Sequence, residues 1–77
     1  MNTDADYIIN MIKIYDFVEW ELEKFRNECN FTPSELQYFN LRAKYKSNVA
    51  ISLEMNVSTA EVSRLARKVK AKMLRVI

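Results

Sequence analysis

The stretch SNVAISLEMNVSTAEVSRLARKVKAKMLR, residues 47–75, decides how the chain folds. Its first part predicts a short helix opening at Ser47 and closing near Met55. Asn56-Val57-Ser58 then interrupts the helical period, and Asn tolerates the left-handed backbone that a tight turn needs. Ser58 caps a second helix that runs to about Arg75. Val62, Leu65, Val69, Met73 and Val76 recur at steps of 3, 4, 4 and 3 and give that helix one apolar stripe. Ile51, Met55, Val57, Val62 and Leu65 are the expected core between the two helices, with Val57 plugging the turn.

On a helical wheel the side opposite the stripe centres on Ala60, Arg64, Arg67 and Ala71, flanked by Ser63, Lys68 and Arg75. A short helix, a three-residue turn and a capped basic helix form the helix-turn-helix pattern, whose second helix can enter the major groove of DNA. Arg64 and Arg67 can donate to guanine O6 and N7, and Ala60 permits close approach or contact with a thymine methyl. Thr59 and Ser63 can reach bases or phosphate. Thr59, Ala60, Ser63, Arg64 and Arg67 are therefore the expected base-reading set. Lys44, Lys46, Ser47, Ser58, Lys68, Lys70 and Lys72 are the expected backbone contacts, which position the protein without specifying a sequence.

Upstream, Thr32-Pro33-Ser34-Glu35 reads as a capping box with Pro at the first helical position. It opens a helix to about Lys44, and Phe31 is placed to act as a hydrophobic staple. Before it, Ile8, Met11, Tyr15, Val18, Leu22, Phe25 and Cys29 are spaced alternately by 3 and 4, an a/d seam. That spacing predicts one long helix over about 4–29, with Thr3 or Asp4 as cap. Tyr7, Ile9, Ile12, Ile14 and Phe17 widen its apolar surface. The expected architecture is all-α: a long N-terminal helix (1–30) and a three-helix unit (31–77) in a single domain over 1–77.

Residues 31–74 resemble region four of bacterial sigma factors and the related DNA-binding domain of LuxR-type regulators. Phe31-Thr32-Pro33-Ser34-Glu35 and Phe39-Asn40-Leu41-Arg42 carry the resemblance, with Ser47, Asn48, Ile51, Met55, Val57, Ser58, Val62 and Leu65 at that family's spacing. The resemblance implies base reading by Thr59, Ala60, Ser63, Arg64 and Arg67, the set the wheel selects. Asn56 stands where the family has a turn Gly, and Ser52 occupies the usual small position. Ala60 and Ser63 are short, so a base code does not carry over. Leu36, Val49 and Leu53 replace exposed charged residues and call for a cover, which the N-terminal helix can supply within the chain or between two chains. Ile8, Met11, Tyr15, Val18, Leu22, Phe25, Leu36, Val49 and Leu53 are thus the expected oligomer or partner interface, with Trp20 and Phe25 as anchors. A homodimer is expected, and a monomeric four-helix domain with the first helix as core is the alternative.

Charge separates along the 77 residues. Positions 1–38 hold eight acids and three bases, whereas 39–77 hold two acids and nine bases, so a net of +2 conceals −5 followed by +7. An acidic front and a basic back point to a polyanion for the back half. The chain has no His and no Gly, which excludes a His base, a His metal site and Gly-rich phosphate loops. The single Cys29 excludes an internal disulfide and a thiolate zinc site and fits a reducing compartment. No enzyme activity, cofactor or metal is expected. Asp4 and Asp6 argue against a signal peptide, and Lys13, Asp16, Glu19 and Glu21 break the apolar run from Tyr7 to Leu22, so no membrane span is expected. The reading is a cytoplasmic, sequence-specific regulator of transcription that binds double-stranded DNA through a recognition helix over about 58–75. Its small size suggests phage or mobile-element origin. The competing readings are a protein-interaction module for RNA polymerase or a sigma factor, and a phage-type DNA-packaging or replication adaptor.

Overall fold

Pro33 begins the first element whose cause is fully visible in the bonds. In the computed structural model, which describes residues 8, 9 and 11–77, helix α2 spans Pro33–Ala43. The Glu35 amide donates to Thr32 Oγ1 (3.2 Å) and the Thr32 amide to Glu35 Oε1 (3.0 Å), which closes the capping box. The Phe31 ring lies 5.0 Å from that of Phe39 and holds the entry of the chain against the core. Among the described residues all regular structure is helical: α1 (Glu19–Glu28), α2, α3 (Asn48–Met55) and α4 (Thr59–Val76), preceded by a single 3-10 turn at Ile14–Asp16.

The long N-terminal helix is not continuous. Ile8, Ile9 and Met11 are helical, but Lys13 is extended (φ −119°, ψ 109°), and the chain is extended again at Phe17 and Val18. The reason lies in the apolar side chains. This segment carries Ile or an aromatic on nearly every side, more than one helical face can bury. Breaking the helix lets Ile12 and Ile14 enter the core and tucks Phe17 against Phe25 at 5.0 Å, edge to face. Of the positions expected to widen the seam, Ile12 and Ile14 are buried and Ile9 and Phe17 half-buried, while Ile8, Met11 and Val18 of the seam itself are exposed. A new helix starts after Val18, whose amide donates to Glu21 Oε1 at 3.0 Å. The expected cap at Thr3 or Asp4, and Tyr7, lie outside the described residues.

Leu22, Phe25 and Cys29 of α1 join Tyr38, Phe39 and Leu41 of α2, Ile51 of α3, and Val62, Leu65, Val69 and Met73 of α4 in one core. The 3-10 turn packs on α2, and α4 packs against the other three helices. The expected core of the last two helices is present, with Ile51, Val62 and Leu65 buried and Met55 and Val57 packed at its edge. Leu22 and Phe25 correct an expectation. Assigned beforehand to an oligomer or partner interface, they are buried inside the chain's own core, because the broken N-terminal segment turns them inward.

Since the chain lacks Gly, the left-handed positions among the described residues fall on Asn30, Tyr45 and Asn56. Asn is the least costly substitute, whereas a bulky aromatic at φ 67° is a true outlier. Tyr45 closes α2, as the Lys46 amide reaches back to the Leu41 carbonyl at 3.3 Å.

Candidate nucleic-acid interface

Two hydroxyl caps and one turn set the attitude of α4. Ser47 Oγ accepts from the Ala50 amide (3.1 Å) at the start of α3, and Ser58 Oγ accepts from the Glu61 amide (3.1 Å) at the start of α4. Between them Asn56 is left-handed (φ 58°, ψ 46°), and the Val57 amide bonds the Ser52 carbonyl at 3.0 Å, the closure of a Schellman turn. Ser52 is buried, and its hydroxyl donates to the Val49 carbonyl at 2.7 Å, so the small position carries no orphaned polar group. Ser47 and Ser58, expected at the DNA backbone, accept the cap bonds through Oγ, which leaves each hydroxyl hydrogen able to donate to a phosphate.

Along α4 the stripe of Val62, Leu65, Val69 and Met73 is buried, and Thr59, Ala60, Ser63, Arg64, Arg67 and Lys68 are exposed. Farther on, Lys70, Ala71, Lys72 and Leu74 are all half-buried. The outward face is open over the first half of the helix, the half whose N-terminal residues meet base edges in this motif, and Arg75 is exposed on the same side near its end. The Arg64 side chain is 71% exposed and pairs with Glu61 at 3.1 Å, an i,i+3 bond that solvent weakens. All five expected base readers lie on this open half.

The expected backbone set divides. Lys44, Lys46 and Lys68 are exposed. Lys72 is a correction: its Nζ lies 2.6 Å from Glu35 Oε1 and 3.1 Å from the Asn30 carbonyl, a clamp from α4 to the mouth of α2. Glu35 itself is only 5% exposed. Burial works against its carboxylate, but the Lys72 ammonium, the Thr32 amide and the Lys68 charge together hold it below its ordinary value. An ammonium so engaged is not offered to a phosphate. The wheel contained the signal, since Lys72 sits about 60° from the centre of the apolar stripe rather than opposite it.

Lys70 lies on the other flank of α4. With Asn48, Ser63, Arg64, Ala66 and Arg67, and with Ile9 of the N-terminal segment, it lines a cleft of about 410 Å³. Burial lowers its pKa, and the charges of Arg42 and Lys13 lower it further. Arg42 stacks on Tyr15 (5.1 Å to the ring centre) and donates to the Lys46 carbonyl at 2.7 Å, while Tyr15 contacts Tyr45 at 5.2 Å.

The expected partner surface divides too. Leu36 and Tyr15 are half-buried. Val49 and Leu53 are 60% and 77% exposed, and the expected cover over them is not formed by the described residues. Trp20, offered as an anchor, is 69% exposed on α1. Among the described residues no group of His, Cys, Asp or Glu is arranged to hold a metal ion, and no helix is long and apolar enough to cross a membrane. No protein-family model matches the chain, and no curated protein or solved structure matches it.

Proposed function

We propose that the protein binds double-stranded DNA as a transcription regulator in the cytoplasm, with the first half of α4 in the major groove. The observation that carries this reading is the open, cation-bearing face of Thr59, Ala60, Ser63, Arg64 and Arg67 on a helix whose start is fixed by the Ser58 cap and a closed turn. A rigid mount matters because base-edge hydrogen bonds tolerate little error in the pose of the helix. The sigma region four and LuxR-type resemblance supports the same placement. With Lys72 engaged, roughly four phosphates per chain are left to the remaining cations, giving a log–log salt slope near −3 to −4.

Selection from a random duplex pool, followed by titration against salt, tests the reading. The expected result is an enriched site whose affinity falls with that slope, and loss of enrichment in Arg64→Ala/Arg67→Ala. Binding that ignores salt, or a double variant that still selects the same site, overturns it.

A protein contact is favoured by one further observation, the exposure of Val49 and Leu53 one turn apart on α3. We place a second copy of the chain there, in keeping with a homodimer. A palindromic selected site with half-sites about one helical turn apart supports this. A single unrepeated site with a 9.1 kDa species in solution refutes it. Contact with RNA polymerase or a sigma factor instead would survive loss of Arg64 and Arg67 and fail on Leu53→Asp.

A further inference from the structure

Asn30 and Asn56 suit their left-handed backbone, whereas Tyr45 at φ 67° does not. The fold recovers little from this placement. The Tyr45 ring is 73% exposed and meets the Tyr15 ring at 5.2 Å, and among the described residues its hydroxyl makes no hydrogen bond. Yet the loop that carries it is firmly held. The Tyr45 amide donates to the Arg42 carbonyl at 3.0 Å and the Lys46 amide to the Leu41 carbonyl at 3.3 Å, while the Arg42 guanidinium donates to the Lys46 carbonyl at 2.7 Å. The same guanidinium lies over the Tyr15 ring at 5.1 Å, so the ring on which Tyr45 leans is itself pinned. A strained residue fixed this firmly, with its ring largely in solvent, points to a contact outside the fold.

Its neighbours indicate the partner. Exposed Lys44 and Lys46 flank Tyr45, and three residues on, Asn48 lines the cleft shared by Ser63 and Arg64 of α4. Three residues span at most about 11 Å, so Tyr45 stands at the border of the base-reading face. A duplex seated on α4 brings a strand of its backbone past that border, where its phosphates meet two ammonium groups and a phenol. Tyrosine is among the neutral side chains that bond phosphate oxygens, and its O–H is a donor. We infer that Tyr45 binds a DNA phosphodiester, its hydroxyl donating to a non-bridging oxygen while Lys44 and Lys46 supply the charge. The contact rests on the DNA reading given above and adds to it a rigid stop: the braced turn fixes where one phosphate sits, and with it the register of α4 in the groove.

The duplex selected by wild type is titrated against salt with Tyr45→Phe and Tyr45→Asn in the whole chain, alongside urea melts of each. Tyr45→Phe keeps the ring and its contact with Tyr15 and removes the hydroxyl alone. It is expected to melt as wild type does and to bind about tenfold more weakly. Its salt slope is expected to stay as it was, since a phenol releases no counterion, whereas Lys46→Gln is expected to make the slope shallower by about 0.9. Tyr45→Asn suits the left-handed turn and is expected to lose the same affinity with no fall in denaturation midpoint. Phosphate ethylation of the duplex supplies the location: one phosphate whose ethylation weakens wild type is expected to have no such effect on Tyr45→Phe. If Tyr45→Phe binds the selected duplex as tightly as wild type, the contact is refuted and the DNA reading stands. If either variant loses stability along with affinity, the ring serves the fold and the contact is refuted as well. If wild type selects no duplex, both readings fall, and a change in self-association in Tyr45→Phe then assigns the ring to a protein partner.

Discussion

Glu35 serves two helices with one oxygen. Its Oε1 accepts the Thr32 amide that starts α2 and the Lys72 ammonium that ties down α4. Removing the ammonium leaves a buried carboxylate with a single partner, so Lys72→Met is expected to destabilise by about 1–3 kcal/mol. The same change is expected to leave the salt dependence of DNA binding as it was, because the ammonium faces inward. Urea melts and a salt titration of this variant check both halves of the statement. The capping half of Glu35 was legible in the order Thr-Pro-Ser-Glu, a local pattern. The clamp joins residues 37 positions apart, and no local spacing announces such a partner. Tyr45 was equally hidden, for a chain without Gly must place some other residue at each left-handed position, and the sequence marks only the Asn residues as candidates.

Among the elements, α4 was readable and the N-terminal segment was not, for one physical reason. The apolar residues of α4 occupy a single stripe, so one face can point inward and the period fixes which. Between Ile8 and Val18 the apolar residues occupy nearly every side, and an a/d spacing can be drawn through them without being the face that is buried. Packing decided the matter, as Ile12, Ile14 and Phe17 gain more contact from a broken chain than from a straight one. Once broken, the segment turns α1 so that Leu22 and Phe25 point inward, and Phe25 meets Phe39 as well as Phe17. Phe25→Ala is therefore expected to cost about 3–5 kcal/mol, measured by the shift in denaturation midpoint. An interface role for Phe25 would predict dissociation with little loss of monomer stability.

For the molecule as a whole, the buried ionisable groups set the pH range in which the fold is secure. Glu35 has a lowered pKa in the fold, so its contribution is complete above the unfolded value of about 4.3 and is lost as pH falls through the folded one. Cys29 and Tyr38 have raised values, chiefly from burial. The unfolded chain therefore ionises first, and stability declines as pH climbs past about 8.5 for the thiol and about 10 for the phenol. Lys70 acts in the opposite sense, since its lowered value means that the fold gains as the ammonium deprotonates on the alkaline side. Denaturation midpoints measured from pH 3 to 10.5 are expected to show a plateau between about 5 and 8, with the acid fall reduced in Lys72→Met, because without the ammonium the folded Glu35 carboxyl is held less far below its unfolded value.

Cys29 closes the last turn of α1 with its backbone amide, which donates to the Phe25 carbonyl at 2.9 Å, and its side chain is shut in the core. The thiolate is the form that attacks alkylating reagents, and burial disfavours that form here. Native molecules are therefore inert to such reagents until the end of α1 peels away from α2 and α4. The rate of labelling thus clocks that excursion, and the chain carries its own stopwatch for local opening without an added probe.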